Sequence, residues 1–170
     1  MTPVVHITPD FAVAAAVPAE ELPRLAGMGF RTLVDLLPEG DASASTGPGA
    51  FSQRAQCQGL AYHHIPAGSH ELFTDPVVGP MAAVLAAAKG PVLAMCKSGT
   101  RAAIVWAAAS ARSEPVAGIL EALAKAGFDL AFLRDDLDSQ ADRMRWAGPD
   151  AGSSAPLPHA PARFSSRRVA

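Results

Sequence analysis

The stretch from Pro91 to Ala109, PVLAMCKSGTRAAIVWAAA, leaves this chain little choice of architecture. Val92 to Met95 is a short, unbroken apolar run behind a proline, the pattern of a strand buried on both faces. Cys96 closes it, Lys97, Ser98, Gly99 and Thr100 turn the chain, and an alanine-rich helix pattern starts at Arg101 and reaches about Ser113. A strand with no solvent face, followed at once by a helix, belongs in a sheet covered by helices on both sides.

The flanking sequence agrees. VVHIT (Val4 to Thr8) and FAVAAAV (Phe11 to Val17) predict two short strands, and Pro18 opens a helix through AEELPRLAGMG that Pro23 makes irregular. RTLVDLL (Arg31 to Leu37) predicts a buried strand closed by the surface loop PEGDASASTGPG. AFSQRAQCQG predicts a helix ending at Gly59, and LAYHHIP (Leu60 to Pro66) a strand. AGSHELFTD is then a loop into a helix from about Pro76 to Lys89, stopped by Gly90. Two helical segments follow the central stretch, EPVAGILEALAKAG and roughly Leu130 to Trp146. Strands alternate with helices, and the connections suit right-handed crossovers. The expectation is an α/β fold, a three-layer sandwich with a mostly parallel four- to five-stranded sheet.

A length of 170 residues fits one domain, and residues 1–147 are assigned to a single catalytic domain. From Gly148 onward, GPDAGSSAPLPHAPARFSSRRVA shows neither a helical nor an alternating period. Residues 148–170 are therefore expected to form a flexible C-terminal tail, its end made basic by Arg163, Arg167 and Arg168.

Fourteen basic and sixteen acidic residues give a formal net charge of −2, so no global field recruits nucleic acid or an anionic membrane. Any anion site must be local. The run FAVAAAVPA is short and lacks a preceding basic region, and no window approaches the ~18 apolar residues of a membrane span. Neither a signal peptide nor a membrane span is expected. Cys57 and Cys96 lie in no CxxC or zinc-ligand spacing, which predicts no metal and no disulfide framework and points to a reducing, cytoplasmic setting. No motif asks for a cofactor.

At the carboxyl ends of the strands of such a sheet, reactive ligands gather. Cys96 is expected there, with the amides of Lys97, Ser98, Gly99 and Thr100 forming an anion-binding loop above its sulfur. A helix N-terminus and neighbouring cations, here Lys97 and Arg101, favour thiolate over thiol. Gly99 permits dihedrals that a residue with a side chain resists, and the hydroxyls of Ser98 and Thr100 are further donors. The catalytic candidates are thus Cys96 as nucleophile and Arg101 as the cation that orients an anion or braces the loop.

The loop CKSGTRA resembles the active-site loops of rhodaneses and of cysteine phosphatases. The wider run, from about Ile7 to Leu137, is similar to the beta-lactamase-hydrolase-like protein phosphatase family, through ITPDFAVAAAVPAEELPRLAGMGFRTLVDLLPEG, GLAYHHIPAGS, PVLAMCKSGTRAAIVWA and AKAGFDL. That resemblance implies a tyrosine-phosphatase-like, cysteine-phosphatase-like fold, in proteins also found fused to enzymes of sulfur metabolism. Family members tend to carry Arg where Leu37 stands here, and Arg or Lys at the position of Lys97.

The spacing bears on the reaction. Four residues separate Cys96 from Arg101, where typical tyrosine and dual-specificity phosphatases have five and rhodaneses commonly have the shorter loop. One inward amide fewer gives a tighter cradle, which suits a single terminal sulfur better than a phosphate dianion. The expected function is accordingly a rhodanese-like sulfurtransferase that forms a persulfide on Cys96 and passes sulfur to a thiol acceptor, with a protein partner in sulfur metabolism. The alternative is a phosphatase-like hydrolase working through a cysteinyl-phosphate on a small anionic phosphate substrate. The second alternative is a non-enzymatic anion- or partner-binding module.

A phosphatase would gain from a general acid, and AGSHELFTDP offers Asp75, His70 and Glu71. Asp75, just before Pro76, reads first as a helix N-cap. His63 and His64, adjacent on a strand, should point to opposite faces and so form no shared site. Cys57 is expected to be buried on its helix as an apolar residue, and Trp106 to pack in the core.

Overall fold

The structure, a computed structural model, describes residues 1–38 and 48–146. Its five strands are β1 (Val4–Thr8), β2 (Phe11–Ala15), β3 (Thr32–Asp35), β4 (Ala61–His64) and β5 (Val92–Cys96). The helices are α1 (Leu22–Gly27), α2 (Pro48–Cys57), α3 (Asp75–Ala87), α4 (Thr100–Ser110), α5 (Val116–Lys125) and α6 (Arg134–Trp146). One 3-10 turn precedes α1 at Ala19–Glu21, so the irregularity expected from Pro23 takes this form, and another precedes α6 at Ala131–Leu133.

The sheet order is β1-β2-β5-β3-β4. β2, β5, β3 and β4 run parallel, and β1 alone pairs antiparallel, at one edge. β5 is central, and every one of its residues is buried. Its alternation divides the molecule into layers. Val92, Ala94 and Cys96 belong to the core under α3 to α6, while Leu93 and Met95 belong to the core under α1 and α2. The expected three-layer α/β sandwich with a mostly parallel sheet is the fold. Each large apolar side chain so buried contributes on the order of 1.5–3 kcal/mol.

Several boundaries differ from the periodicity. β3 stops at Asp35 although Leu36 and Leu37 remain buried, because the Asp35 carboxylate accepts the Leu37 amide at 2.9 Å and turns the chain. α3 ends at Ala87, since Ala88 is already extended (ψ 130°), so Gly90 is not the residue that stops it. Cys57 is exposed rather than buried: on α2 the core-facing positions are Phe51 and Ala55, one helical turn apart. Trp106 is buried and stacks on Phe11, with centroids 5.3 Å apart. The tail expected at 148–170 and most of the loop after Leu37 lie outside the described residues. Among the described residues no helix is long and apolar enough to cross a membrane.

Candidate active site

The parallel strands all end on one side of the sheet, and there Ala15 of β2 stands beside Cys96 of β5, while Asp35 of β3 stands beside Met95. Cys96 is fully buried. Lys97 and Ser98 carry the chain outward, and Gly99 returns it to α4 with φ 89°, the left-handed geometry that glycine adopts without penalty. A Cβ on Gly99 would lie 3.6 Å from the Ala14 carbonyl, so the loop rests on the end of β2, where small side chains leave it room.

This turn aims an amide at the sulfur: Gly99 N–H donates to Cys96 Sγ at 3.1 Å. The N-terminus of α4, which starts at Thr100, follows directly on this turn. The Ser98 hydroxyl donates to the Thr100 hydroxyl at 3.4 Å, and both side chains are exposed, as is Lys97. Arg101 is half-buried in the first turn of α4, and its Nη1 donates to the Ala67 carbonyl at 2.9 Å. Residues 96–101, expected together from the sequence, are thus brought together, and Arg101 further ties them to the loop between β4 and α3.

That loop holds two of the three candidate acids. His70 is exposed; Glu71 accepts the Gly68 amide on Oε2 at 3.0 Å, which braces the loop. Asp75 is placed differently. The N-cap of α3 is Thr74, with Asp75 the first helical residue, and the Asp75 carboxylate pairs with Arg112 and, at 3.2 Å, with Arg143. Arg112 follows the C-terminal end of α4, an 11-residue helix spanning about 16 Å, so this pair is anchored at the end of α4 remote from Cys96. The Arg112 guanidinium, with Arg143 adding, holds the Asp75 carboxyl below the usual carboxylate range. Arg112 also donates to Gln140, whose amide in turn donates to the Phe73 carbonyl at 2.8 Å.

A polar cluster at the ends of β3 and β4 escaped the sequence reading. Asp35, 9 % exposed, accepts the Tyr62 hydroxyl at 3.0 Å besides the Leu37 amide, and His64 Nε2 lies 2.9 Å from the Leu37 carbonyl. Burial first, and the Asp35 carboxylate second, push the Tyr62 hydroxyl well above its ordinary range. The available signal was a charged residue inside the apolar run TLVDLL. His63 is exposed on the opposite face, so the two histidines form no shared site. Among the described residues no three His, Cys, Asp or Glu side chains are placed to hold a metal ion.

The comparisons with known proteins agree with this fold. Residues 4–113 match the family model described as beta-lactamase hydrolase-like protein, phosphatase-like domain. The chain belongs to this family. A beta-lactamase hydrolase-like protein of Xylella fastidiosa is 31 % identical over 144 residues, covering 81 % of this chain and 32 % of that protein. The chain thus spans about a third of the curated relatives it matches. Among solved structures, a candidate phosphatase of Neisseria meningitidis is similar at TM-score 0.65 and 22 % identity, over 80 % of this chain and 96 % of that one. The kinase associated phosphatase, solved with its catalytic-site cysteine changed to serine, is similar at TM-score 0.62 and 13 % identity, over 85 % and 96 %. The fold of this member of the beta-lactamase hydrolase-like phosphatase-like family is therefore cysteine-phosphatase-like. Family and neighbours favour the phosphate reading over the sulfur transfer expected from loop length.

Proposed function

We propose that the chain is a cysteine-dependent hydrolase of small phosphate monoesters. The observation that carries the proposal is the Gly99 amide donating to Cys96 Sγ at the N-terminus of α4, on a phosphatase-like fold. In the first step the Cys96 thiolate attacks phosphorus, an S–P bond forms and the ester P–O bond breaks. In the second, water attacks the cysteinyl-phosphate, the S–P bond breaks, and phosphate leaves with the thiolate restored. The amides of the loop and the guanidinium of Arg101 stabilise the oxygens of the transferring group. The phosphatase-like neighbour with a catalytic-site cysteine supports the nucleophile's role for Cys96.

Protonation of the leaving oxygen is assigned to the loop carrying His70 and Glu71, which Arg101 holds through Ala67. Asp75 is unsuited to the role, being held ionised by two arginines. Turnover of p-nitrophenyl phosphate tests the reading: Cys96→Ser should lower kcat by at least about 10³-fold, and vanadate should inhibit. Wild-type protein without turnover would rule it out.

The four-residue spacing keeps a second reading, sulfur transfer. There the Cys96 thiolate attacks the outer sulfur of thiosulfate, sulfite leaves, and the persulfide sulfur passes to a thiol. Incubation with thiosulfate would then add one sulfur to Cys96, and an unchanged protein mass would exclude this reading.

A further inference from the structure

The hydrogen bonds around Asp35 run on to Arg101. Leu36 N–H donates to the Met95 carbonyl at 2.9 Å, one residue before Cys96, and the Leu36 carbonyl accepts the Ala67 amide at 3.3 Å. The Ala67 carbonyl in turn accepts Arg101 Nη1 at 2.9 Å. Asp35 Oδ1 takes the Leu37 amide at 2.9 Å, and that amide shares one planar peptide unit with the Leu36 carbonyl. Holding the amide therefore orients the carbonyl, and with it Ala67 and the guanidinium bound there. Leu36 and Ala67 are fully buried, so solvent offers these groups no alternative partner.

Asp35 is itself seated. Its Oδ2 accepts the Tyr62 hydroxyl at 3.0 Å, and burial, with the carboxylate adding, keeps the proton on that hydroxyl, so Tyr62 remains a donor. The Leu37 carbonyl can only accept, so His64 Nε2, 2.9 Å away, donates to it and braces the next peptide unit. Among the described residues no cation pairs with Asp35. A carboxylate this buried is costly to desolvate, and here hydrogen bonds to both of its oxygens, not an ion pair, offset that cost. The surrounding structure thus uses its geometry rather than its charge.

We propose that Asp35, seated by Tyr62, is a positioning residue for Arg101: through the Leu36–Leu37 peptide and Ala67 it aims the guanidinium at the oxygens of the transferring group, a role that rests on the phosphatase reading of the site. Asp35 and Tyr62 act through Arg101 and do not touch the substrate.

Two measurements on the full chain test this: p-nitrophenyl phosphate kinetics, and calorimetric titration with tungstate, an oxyanion that can fill the loop without turnover. Asp35→Ala should lower kcat/KM at least about tenfold and weaken tungstate binding by a similar factor. Asp35→Asn keeps an acceptor for the Leu37 amide and a partner for the Tyr62 hydroxyl, so both quantities should stay within about twofold of the parent. Tyr62→Phe keeps the ring against Phe51 and should lose about threefold; it carries the same comparison where Asp35→Ala does not fold. In an Arg101→Lys background Asp35→Ala should cost less than about twofold in kcat/KM, whereas a merely structural residue would give additive losses. An equal cost in both backgrounds, or Asp35→Asn as damaging as Asp35→Ala, would overturn the proposal and leave the phosphatase reading standing. Tungstate binding with the expected pattern of variants, but no turnover, would uphold the positioning role and defeat the phosphatase reading. A parent that binds no tungstate would overturn the positioning role outright.

Discussion

Gly99 has two duties: it turns the loop in left-handed geometry, and it supplies the amide that points at Cys96 Sγ. A methyl group there meets the Ala14 carbonyl only at ordinary contact distance, so the cost of Gly99→Ala is conformational, about 1–2 kcal/mol. Chemical denaturation should register that loss, and phosphatase activity should fall further than folding does because the amide is re-aimed. Arg101→Lys keeps the charge but loses the fork that can hold both the Ala67 carbonyl and an anion. It should lower kcat/KM at least tenfold in p-nitrophenyl phosphate kinetics. Asp75→Asn should leave that activity within about twofold, since the proposed leaving-group proton comes from elsewhere. Activity lost in Asp75→Asn would return the general-acid role to that residue. Much of this site was legible, because Cys96, Gly99 and Arg101 fall within one hexapeptide. The environment of Asp75 was not, because Arg112 and Arg143 approach it from elements far along the chain.

Among the elements, the connection between the N-terminus and α1 shows a pH-dependent tie. Glu21 accepts the Thr2 amide on both carboxylate oxygens, and Arg24 donates to Glu21 at 2.7 Å and to the Thr2 carbonyl at 2.8 Å. The bond from Arg24 chiefly, with the Thr2 amide adding and burial opposing, holds the Glu21 carboxyl down to about 2. A carboxyl depressed by folding stabilises above its unfolded value of ~4.3 and loses that contribution as pH falls through its folded value. Glu21→Gln should therefore melt below the parent at pH 6, with the gap closing between about pH 4 and pH 2. Thermal melts across that interval would measure it. Elements themselves were readable where apolar period and punctuation agreed, as in β5 and α4. Their ends were less so: the Asp35 side chain, by taking the Leu37 amide, ends β3 inside an apolar run. Counting apolar residues gives no information about where an amide finds its partner.

For the whole molecule, the parallel sheet gathers the chemistry at one end. There β5, β3 and β4 finish on Cys96, Asp35 and His64, with the Gly99 turn and the α4 N-terminus following β5. The layered fold was legible because each strand with no solvent face demands helices on both sides. The path from Asp35 to Arg101 was not, since it runs through backbone groups of Leu36 and Ala67 that come from separate segments. The reaction hung on one residue of loop length, and there the family and fold weigh toward phosphate. The most direct test is the intact mass of protein quenched in the course of p-nitrophenyl phosphate turnover. The account predicts a single phosphoryl adduct on Cys96, absent from Cys96→Ser. No phosphoryl adduct and no turnover, with thiosulfate instead leaving one added sulfur on Cys96, would contradict it.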